Sequence, residues 1–393
     1  MLTSGDLIRT TPLHPSGEEI SLYFHIPFCT KKCHYCHFFV LPDKKPYHNQ
    51  LLEALLLDVT RWAPQLSGKK LVSIYFGGGT PSLLDPTEIH QILEHVQTVL
   101  PFDASSSEIT LEANPETITL ERMRAFSAAG INRVSIGVQS LDDTLLKKLG
   151  RTHDAQTSVK AIETTASAGI HNISIDLMYD IPGQTLASWH TTLDALSTLP
   201  ITHLSLYNLT IEPHTVFFKY QEKLQKELPD ADSSTQMYKS AQETLEKFGL
   251  KQYEISAFAK NDAYSRHNVG YWTGRPFIGF GPSAFSYWDG RRFRAVSNLN
   301  RYSEALHGGT SPEDFTETLN PEAHRRELLA IALRLKQGVD VRAFEAVNGP
   351  LDAGTHKTIQ KLVQDGLLTD YTKIIKLTDR GVLFYDTVAT DIV

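Results

Sequence analysis

Cysteine is nearly absent from this chain. Three occur in 393 residues, all between positions 29 and 36. A folded chain of this length buries roughly three quarters of its unfolded surface, so it builds a core without covalent staples. The odd count argues against a secreted disulfide framework. Long apolar runs are missing as well, since none approaches the ~20 residues that a membrane helix needs. The opening stretch MLTSGDLIRTTPLHPSGEEI holds no basic segment followed by an apolar one, which argues against a signal peptide. Nor is there an excess of positive charge: 38 Lys and Arg stand against 45 Asp and Glu, for a net charge of −7. That balance gives no support to a nucleic-acid or polybasic membrane surface. The class that remains is a cytoplasmic protein whose reduced thiols are free to hold metal.

What is present is alternation. After a polar lead over residues 1–20, strand-like and helix-like stretches follow one another. SLYFHI (21–26) reads as a strand, and NQLLEALLLDVTRW places Leu52, Leu55, Leu56, Val59 and Trp62 at helical spacing. LVSIYF (71–76) is a nearly continuous apolar run, as in a parallel strand covered on both faces. SEITLEA, NRVSIGV, HNISIDLM and THLSLYNL repeat the theme, each followed by a helical pattern or, after the last, by a longer irregular segment. Six βα-like units predict an α/β fold with a parallel sheet, either open and doubly wound or a full or partial barrel. Polar residues fall at the strand C-terminal ends, where such folds place their sites. The length suggests two or three domains. We expect a core with an accessory segment over 21–300 and a small C-terminal α+β domain over 311–393. In that second unit HRRELLAIALRLKQG reads as a helix ending at Gly338, THKTIQKLVQDG as another, and LLTDYTKIIKLTDRG as a hairpin before a last helix. Helix, helix, wing is a winged-helix-like order. Residues 321–393 carry ten Lys and Arg against ten Asp and Glu, so no basic footprint supports DNA binding, and packing against the core or gating its mouth is the favoured role.

Cys29, Cys33 and Cys36 have C-x3-C-x2-C spacing in a loop directly after the first strand. Three readings compete. A zinc site would recruit His34 or His37 as fourth ligand, although closed zinc sites usually come as two separated ligand pairs. A redox C-x2-C would leave Cys29 unexplained. A [4Fe–4S] cluster on three thiolates leaves one iron open for an exogenous ligand, and an open position exists so that something can bind there and react. Tyr35 just before the third cysteine, and Tyr23 six residues before the first, accompany the loop.

On this signature the chain resembles the radical S-adenosylmethionine (SAM) superfamily. YFHIPFCTKKCHYC is similar more specifically to the family that contains oxygen-independent coproporphyrinogen III dehydrogenase and a heme-chaperone branch, from about Tyr23 to the C-terminus. The resemblance implies a partial (β/α)6 barrel with the cluster, held by Cys29, Cys33 and Cys36, at its top. There an electron from the cluster cleaves SAM to methionine and a 5′-deoxyadenosyl radical.

Several strand-end residues then acquire expected roles. GGGTPS (77–82) follows a strand, and glycine lets a ligand approach the backbone closely. It lacks the Lys of a phosphate-binding loop. By resemblance Gly78, Gly79 and Thr80 bind the methionyl amino group. Glu112, in LEANPE, matches a SAM ligand for a ribose hydroxyl or an ammonium group. Gln139, Arg151 and Asp176 each read, taken singly, as a loop polar group or an ion-pair member. Together with Glu112 they set amide, guanidinium and carboxylates on one face, a set able to hold a zwitterionic nucleoside with Arg151 meeting its carboxylate. Asp180 stands where the similar sequences usually carry Gly, a loop adjustment that adds an acidic group.

Phe38 discriminates within the family. The dehydrogenases carry a further cysteine two positions after the third, and an aromatic cannot replace a thiol in redox chemistry. The heme-chaperone branch has C-x-F there, as here. HNVGYW (267–272) matches a pattern associated with heme, which makes His267 a candidate axial ligand with Tyr271 and Trp272 as flat walls. Against this, Phe285 stands where those relatives often show His. The expected function is heme binding and transfer to an acceptor protein, in this reading a membrane-associated one, with a [4Fe–4S] cluster, SAM and heme as cofactors, no nucleic-acid partner and no residue assigned as catalytic. The alternative is an oxygen-independent coproporphyrinogen III dehydrogenase of porphyrin biosynthesis.

Overall fold

The computed structural model describes residues 18–369 and 373–393. The expected N-terminal lead lies outside the described residues up to residue 17, as does the tip of the predicted hairpin at 370–372. Six parallel strands form the centre: β1 (Glu19–Ile26), β2 (Lys70–Gly78), β3 (Glu108–Ala113), β4 (Arg133–Gln139), β5 (Asn172–Tyr179) and β6 (His203–Asn208). Intervening helices cover their outer face: α1 (Lys45–Leu66), α2 (Pro86–Val99), α3 (Leu120–Ala129), α4 (Asp143–Leu149), α5 (Ala155–Ser167) and α6 (Leu186–Ala195). This is a partial (β/α)6 barrel of the α/β class.

The barrel does not close. The irregular segment after β6 folds into helix α7 (Ala231–Lys247) and strands β7 (Lys251–Glu254) and β8 (Ala257–Ala259), which extend one edge antiparallel. Helix α8 (Arg266–Trp272) then leads to β9 (Phe277–Phe280), which runs parallel to β1 on the other edge. Strands β10 (Phe285–Trp288), β11 (Arg291–Ala295) and β12 (Glu313–Thr318) continue antiparallel, so twelve strands share one sheet in the order β12-β11-β10-β9-β1-β2-β3-β4-β5-β6-β8-β7. Helix α9 (Leu299–His307) packs on α1.

The central strands are covered on both faces, as expected for LVSIYF, but the two faces differ in chemistry. In β1, Leu22, Phe24 and Ile26 are fully buried toward Leu51, Leu55 and Val59 of α1. Ser21, Tyr23 and His25 alternate with them and face the barrel interior, as do Ser73 and Tyr75 of β2, Thr110 and Glu112 of β3, Ser135 of β4, and Ser174 and Asp176 of β5. Hydrogen bonds tie that face together: Ser73 donates to Ser21 Oγ at 2.9 Å and Tyr75 to Glu112 at 2.8 Å. Ser174 pairs with His203 at 2.8 Å. Period-two alternation inside a parallel sheet thus marks a polar lumen rather than a solvent face.

A second hydrophobic core gathers from Leu328 to Ile392. It comprises α10 (Pro321–Ala332), α11 (Val341–Asn348), α12 (Ala353–Gln364) and α13 (Tyr385–Ile392), with Val339–Asp340 paired antiparallel to Ile374–Ile375. The helix expected to reach Gly338 ends at Ala332. Its last turns tighten, with Arg334 N–H on Ile331 O and Leu335 N–H on Ala332 O. The chain then joins the sheet edge, where Leu335 bridges Glu254, Lys336 N–H donates to Tyr253 O at 2.9 Å and Arg334 pairs with Glu254 at 3.2 Å. Tertiary pairing overrides helix propensity there. Helix α11 went unread because it spans only eight residues. The hairpin survives as the Leu368–Leu377 bridge and one short strand.

Phe24 sits between Phe76 and Phe280, with ring centroids 5.1 and 5.0 Å away. Phe24→Ala empties that stack and should lower the unfolding free energy by about 3–5 kcal/mol, read from urea denaturation. A loss below ~1 kcal/mol would show that the seam between β9, β1 and β2 does not need the stack.

Candidate cofactor site

The three thiols lie on a loop clamped at both ends. At the first end Phe28–Cys29 pairs in parallel with Leu41–Pro42, and Leu41 N–H donates to Pro27 O at 2.6 Å. The Phe28 ring stacks on His48 at 4.3 Å. His48 in turn bridges Asp43 at 2.7 Å and Glu88 at 3.3 Å, and Lys45 reaches Glu88 at 2.7 Å. Glu88 also completes the capping box that starts α2. Burial alone would lower the His48 pKa, but hydrogen bonds and charge from Glu88 and Asp43 outweigh it and hold the value above the ordinary one. At the second end His34 N–H donates to Leu149 O at 3.0 Å and its Nδ1–H to Lys148 O at 3.0 Å. Its ring lies flat on Gly150, where a Cβ would come within 2.8 Å.

The glycine loop closes on the same stem. Thr80 N–H donates to Phe28 O at 2.8 Å and Gly79 N–H to Ile26 O at 2.9 Å. A Cβ at Gly79 would lie 2.6 Å from Phe28 O, and Gly78 has φ +115°, so neither position admits a side chain. Thr80 Oγ1 lies 3.6 Å from Cys29 Sγ and accepts from Asn114 Nδ2 at 3.2 Å. Arg151 donates to Cys33 Sγ at 3.4 Å, to Asn114 Oδ1 at 2.7 Å and to Gly137 O at 2.8 Å.

These groups surround a cavity of about 390 Å³ at the C-terminal ends of the strands. Cys29, Cys33, Cys36, Tyr35, Gly78, Gly79, Thr80, Glu112, Gln139, Arg151 and Asp176 all line it. Sequence reasoning had not singled out Asn114, Ser135, Gly137, Met178, Tyr207 or Asn208, which line it too. The strand-end rule that pointed to Asp176 would also have found Tyr207 and Asn208, and Asn114 stands two residues from Glu112. Gln139 holds φ +66° at a register shift between β4 and β5, a conformation uncommon outside glycine that turns its amide into the cavity wall.

Tyr23 is not among the lining residues. Its hydroxyl meets His25 Nδ1 at 3.1 Å, His25 Nε2 meets Phe39 O at 3.3 Å, and the Tyr23 ring lies against the Gly77 position beside Glu112. His267 is also away from the cavity. It sits in α8, a plug across the barrel interior whose first N–H groups, those of Arg266 and His267, donate to Glu108 at 2.9 and 3.0 Å. His267 is fully buried, with Ser73 Oγ 2.9 Å from Nδ1 and Tyr271 Oη 2.8 Å from Nε2. Both ring nitrogens are engaged, so neither is presented to a flat exogenous ligand. Trp272 receives the Arg334 guanidinium at 4.2 Å, which joins the plug to the C-terminal unit. Phe285 is exposed on β10, paired with Phe315. Asp180 has φ +61°, and its carboxylate accepts from Asn208 at 2.6 Å and Ser234 at 2.5 Å. The backbone at this position lies in the left-handed region that favours glycine.

The electrostatics describe a site short of positive charge. Burial raises the Cys29 thiol to about 11, reinforced by Cys36 and Cys33, and also raises Cys36. Three ionised thiols are stable here only with a cation among them. No group of three or more His, Cys, Asp or Glu among the described residues is close enough to hold a single metal ion. Of the two histidines the zinc reading would recruit, His34 faces away toward Lys148, while His37 lines the cavity rim. A polynuclear cluster on the three cysteines fits this donor set. Below it, burial and then Asp176 push Glu112 to about 7, and burial pushes Asp176 to about 6. Two carboxylates near one cavity suit a ligand bearing cationic groups.

Fold and site together define a radical SAM protein. The radical SAM superfamily model matches residues 23–196, and the HemN C-terminal domain model matches 319–384. The chain is 32% identical to heme chaperone HemW from Bacillus subtilis strain 168, over 92% of this chain and 96% of that one. It is 36% identical to the mitochondrial radical S-adenosyl methionine domain-containing protein 1 of Danio rerio, over 82% of this chain and 69% of that one. Among solved structures, coproporphyrinogen III oxidase (HemN) from Escherichia coli superposes with a TM-score of 0.83 at 23% identity, covering 99% of this chain and 93% of that one. The chain belongs to the heme-chaperone, HemW-like branch of the coproporphyrinogen III oxidase family within the radical SAM superfamily. Membership implies a [4Fe–4S] cluster and SAM.

A raised carboxyl pKa has a definite sign. Between the ordinary value of 4.5 and about 7, the folded chain binds the Glu112 proton more tightly than the unfolded chain does. The stability contributed by this group therefore falls as pH rises through that window. Glu112→Gln should raise the melting temperature of the cofactor-free protein by about 2 °C at pH 8 and leave it nearly unchanged at pH 5, measured by calorimetry. A drop at pH 8 would show that the ionised carboxylate is compensated in the empty site.

Proposed function

We propose that this protein binds a [4Fe–4S] cluster on Cys29, Cys33 and Cys36 and SAM beside it, binds heme, and passes heme to an acceptor protein in the cytoplasm or at a membrane face. When bound, the cluster supplies an open iron position and an electron. Gly78, Gly79 and Thr80 hold the methionyl amino group, and Arg151 meets its carboxylate with charge-assisted hydrogen bonds. Gln139 supplies an amide to the nucleoside, while Glu112 and Asp176 take its hydroxyl and cationic groups. Tyr35 packs beneath the loop and keeps water from its underside. Among the described residues no helix is long and apolar enough to cross a membrane, so a membrane-associated acceptor would be met from outside the bilayer.

The observation that carries the reading is Phe38. It lies two residues past the third cysteine, on the cavity rim, 52% exposed. The porphyrinogen-oxidising members of the resembling family carry a thiol at that position. A solvent-facing aromatic offers a flat apolar surface to a macrocycle and cannot exchange protons or electrons with it. The alternative, oxygen-independent coproporphyrinogen III dehydrogenase, is favoured by the shared fold alone.

Anaerobic reconstitution followed by parallel addition of heme and coproporphyrinogen III separates the two. Tight heme binding without conversion of coproporphyrinogen III is expected, and robust protoporphyrinogen IX formation would overturn the proposal. In the same preparation Arg151→Ala should weaken SAM binding by roughly 10- to 100-fold, the loss of a charged hydrogen bond worth ~1.5–3 kcal/mol. Calorimetric titration reads this, with iron content measured alongside because Arg151 also touches Cys33. Unchanged SAM affinity at full iron content would remove Arg151 from the site.

A further inference from the structure

Heme handling, as read above, still needs a place for the heme. His267 is enclosed in the barrel plug with both nitrogens engaged. The cavity itself holds about 390 Å³, near the lower end of the ~300–1,000 Å³ that a single ligand site occupies. A cluster and SAM use that volume, so a porphyrin plate has to lie across the rim.

The rim offers a coherent set. His37 is the single histidine lining the cavity among the described residues. It is exposed, whereas His34, three residues earlier, has its Nδ1 committed to Lys148 O. The His37 ring stands 4.8 Å from that of Phe38, tilted by 34°. Tyr207 from the end of β6 adds a second aromatic, 44% exposed, to the same mouth. Lys31 and Lys32, exposed on the cluster loop, also line it, and Lys32 Nζ donates to Phe38 O at 3.0 Å, so its charge is held beside the aromatic. Glu212, the acidic member of the rim, disfavours a carboxylate on its own side. Imidazole, aromatic face and ammonium groups occur together where an iron porphyrin with two propionates needs a metal ligand, an apolar platform and counter-charges.

We propose that this rim is the heme site: the His37 imidazole ligates the iron, Phe38 and Tyr207 carry the macrocycle, and Lys31 and Lys32 take the propionates. The inference deepens the heme-handling reading and rests on it. Heme seated there lies directly over the cavity assigned to the cluster and SAM.

The test titrates the full-length protein with ferric heme and, separately, with metal-free protoporphyrin IX. Ferric heme is followed by its high-spin EPR signal, as expected of iron with a single imidazole ligand, which the diamagnetic oxidised cluster does not mask, and protoporphyrin by fluorescence. His37→Ala should weaken ferric heme binding by at least roughly tenfold, ~1.4 kcal/mol, and change the EPR signal. Added imidazole should restore ferric heme binding to His37→Ala while leaving metal-free porphyrin unaffected. Metal-free porphyrin affinity should stay within about twofold, because stacking and charge are untouched. Lys31→Glu with Lys32→Glu should weaken both porphyrins. Unchanged heme affinity and EPR signal in His37→Ala would overturn the rim site while leaving heme handling intact. Failure of the unaltered protein to bind either porphyrin would instead overturn the heme reading.

Discussion

The packing of one apolar strand face against the surrounding helices is the constraint on which everything else in this molecule depends. Leu22, Phe24 and Ile26 in β1, Ile74 and Phe76 in β2, Ile109 and Leu111 in β3 and their counterparts in β4 to β6 are buried in one continuous core with the helices. Because side chains alternate along a strand, that choice simultaneously fixes which residues face the barrel interior. A register slip of one residue would bury serines, tyrosines and carboxylates among leucines and send the apolar set inward. Hydrophobic burial of one face therefore positions the polar groups of the other, without any interaction among those groups having to specify the fold.

The interior face then has to satisfy itself. Ser21, Ser73, His267 and Tyr271 form one hydrogen-bonded series, and Ser174, His203 and Tyr253 another. Burial lowers the pKa of His267 to about 3 and that of His203 well below the ordinary value, so both act as neutral hydrogen-bonding groups. The plug α8 owes its place to the same need, since Glu108 accepts from its first two N–H groups. Toward the cavity the carboxyls keep hydrogen bonds, from Tyr75 and Gly78 N–H to Glu112 and from Ser135 to Asp176, but lose solvation. Glu112 and Asp176 are raised toward neutrality because their solvation has been removed and too little positive charge replaces it. The gradient from neutral, hydrogen-bonded histidines at the floor to desolvated carboxyls at the mouth is the physical meaning of a site in this barrel.

This gradient also explains what could be read from the sequence. The thiol spacing and the glycine triplet are local signals, because a loop of eight residues or a turn of three must satisfy its geometry within itself. The six strands and their helices were legible for the same reason. The HNVGYW stretch was not: a helix of seven residues with a histidine reads alike whether it faces a ligand or plugs a barrel. Only the Ser73 and Glu108 partners, far away in sequence, decide between these. Tyr23 points inward from β1, with its ring beside Gly77 and near Glu112, a placement that its distance from the cysteines in sequence does not reveal. Strands β9 to β12 went unseen because segments such as FIGF and RRFRA are too short to show a period. The end of α10 at Ala332 depends on pairing with β7, which no window of local sequence contains.

The two clamps on the cluster loop complete the picture. His48, held between Asp43 and Glu88 beneath Phe28, fixes the stem, and His34 against Gly150 fixes the far side. Between the third thiol and the return strand at Leu41 the chain is tied by backbone contacts at Phe39 and Phe38, made by His25 and Lys32. Side chains 37 and 38 are thus left projecting from the tied loop into solvent, at the rim of the cavity that the three thiols line. A thiol there would extend the redox chemistry of the interior outward. Phenylalanine beside histidine presents an aromatic and an imidazole there instead. On a fold shared with coproporphyrinogen III oxidase (HemN), the two exposed side chains beside the third thiol are thus free of any packing duty.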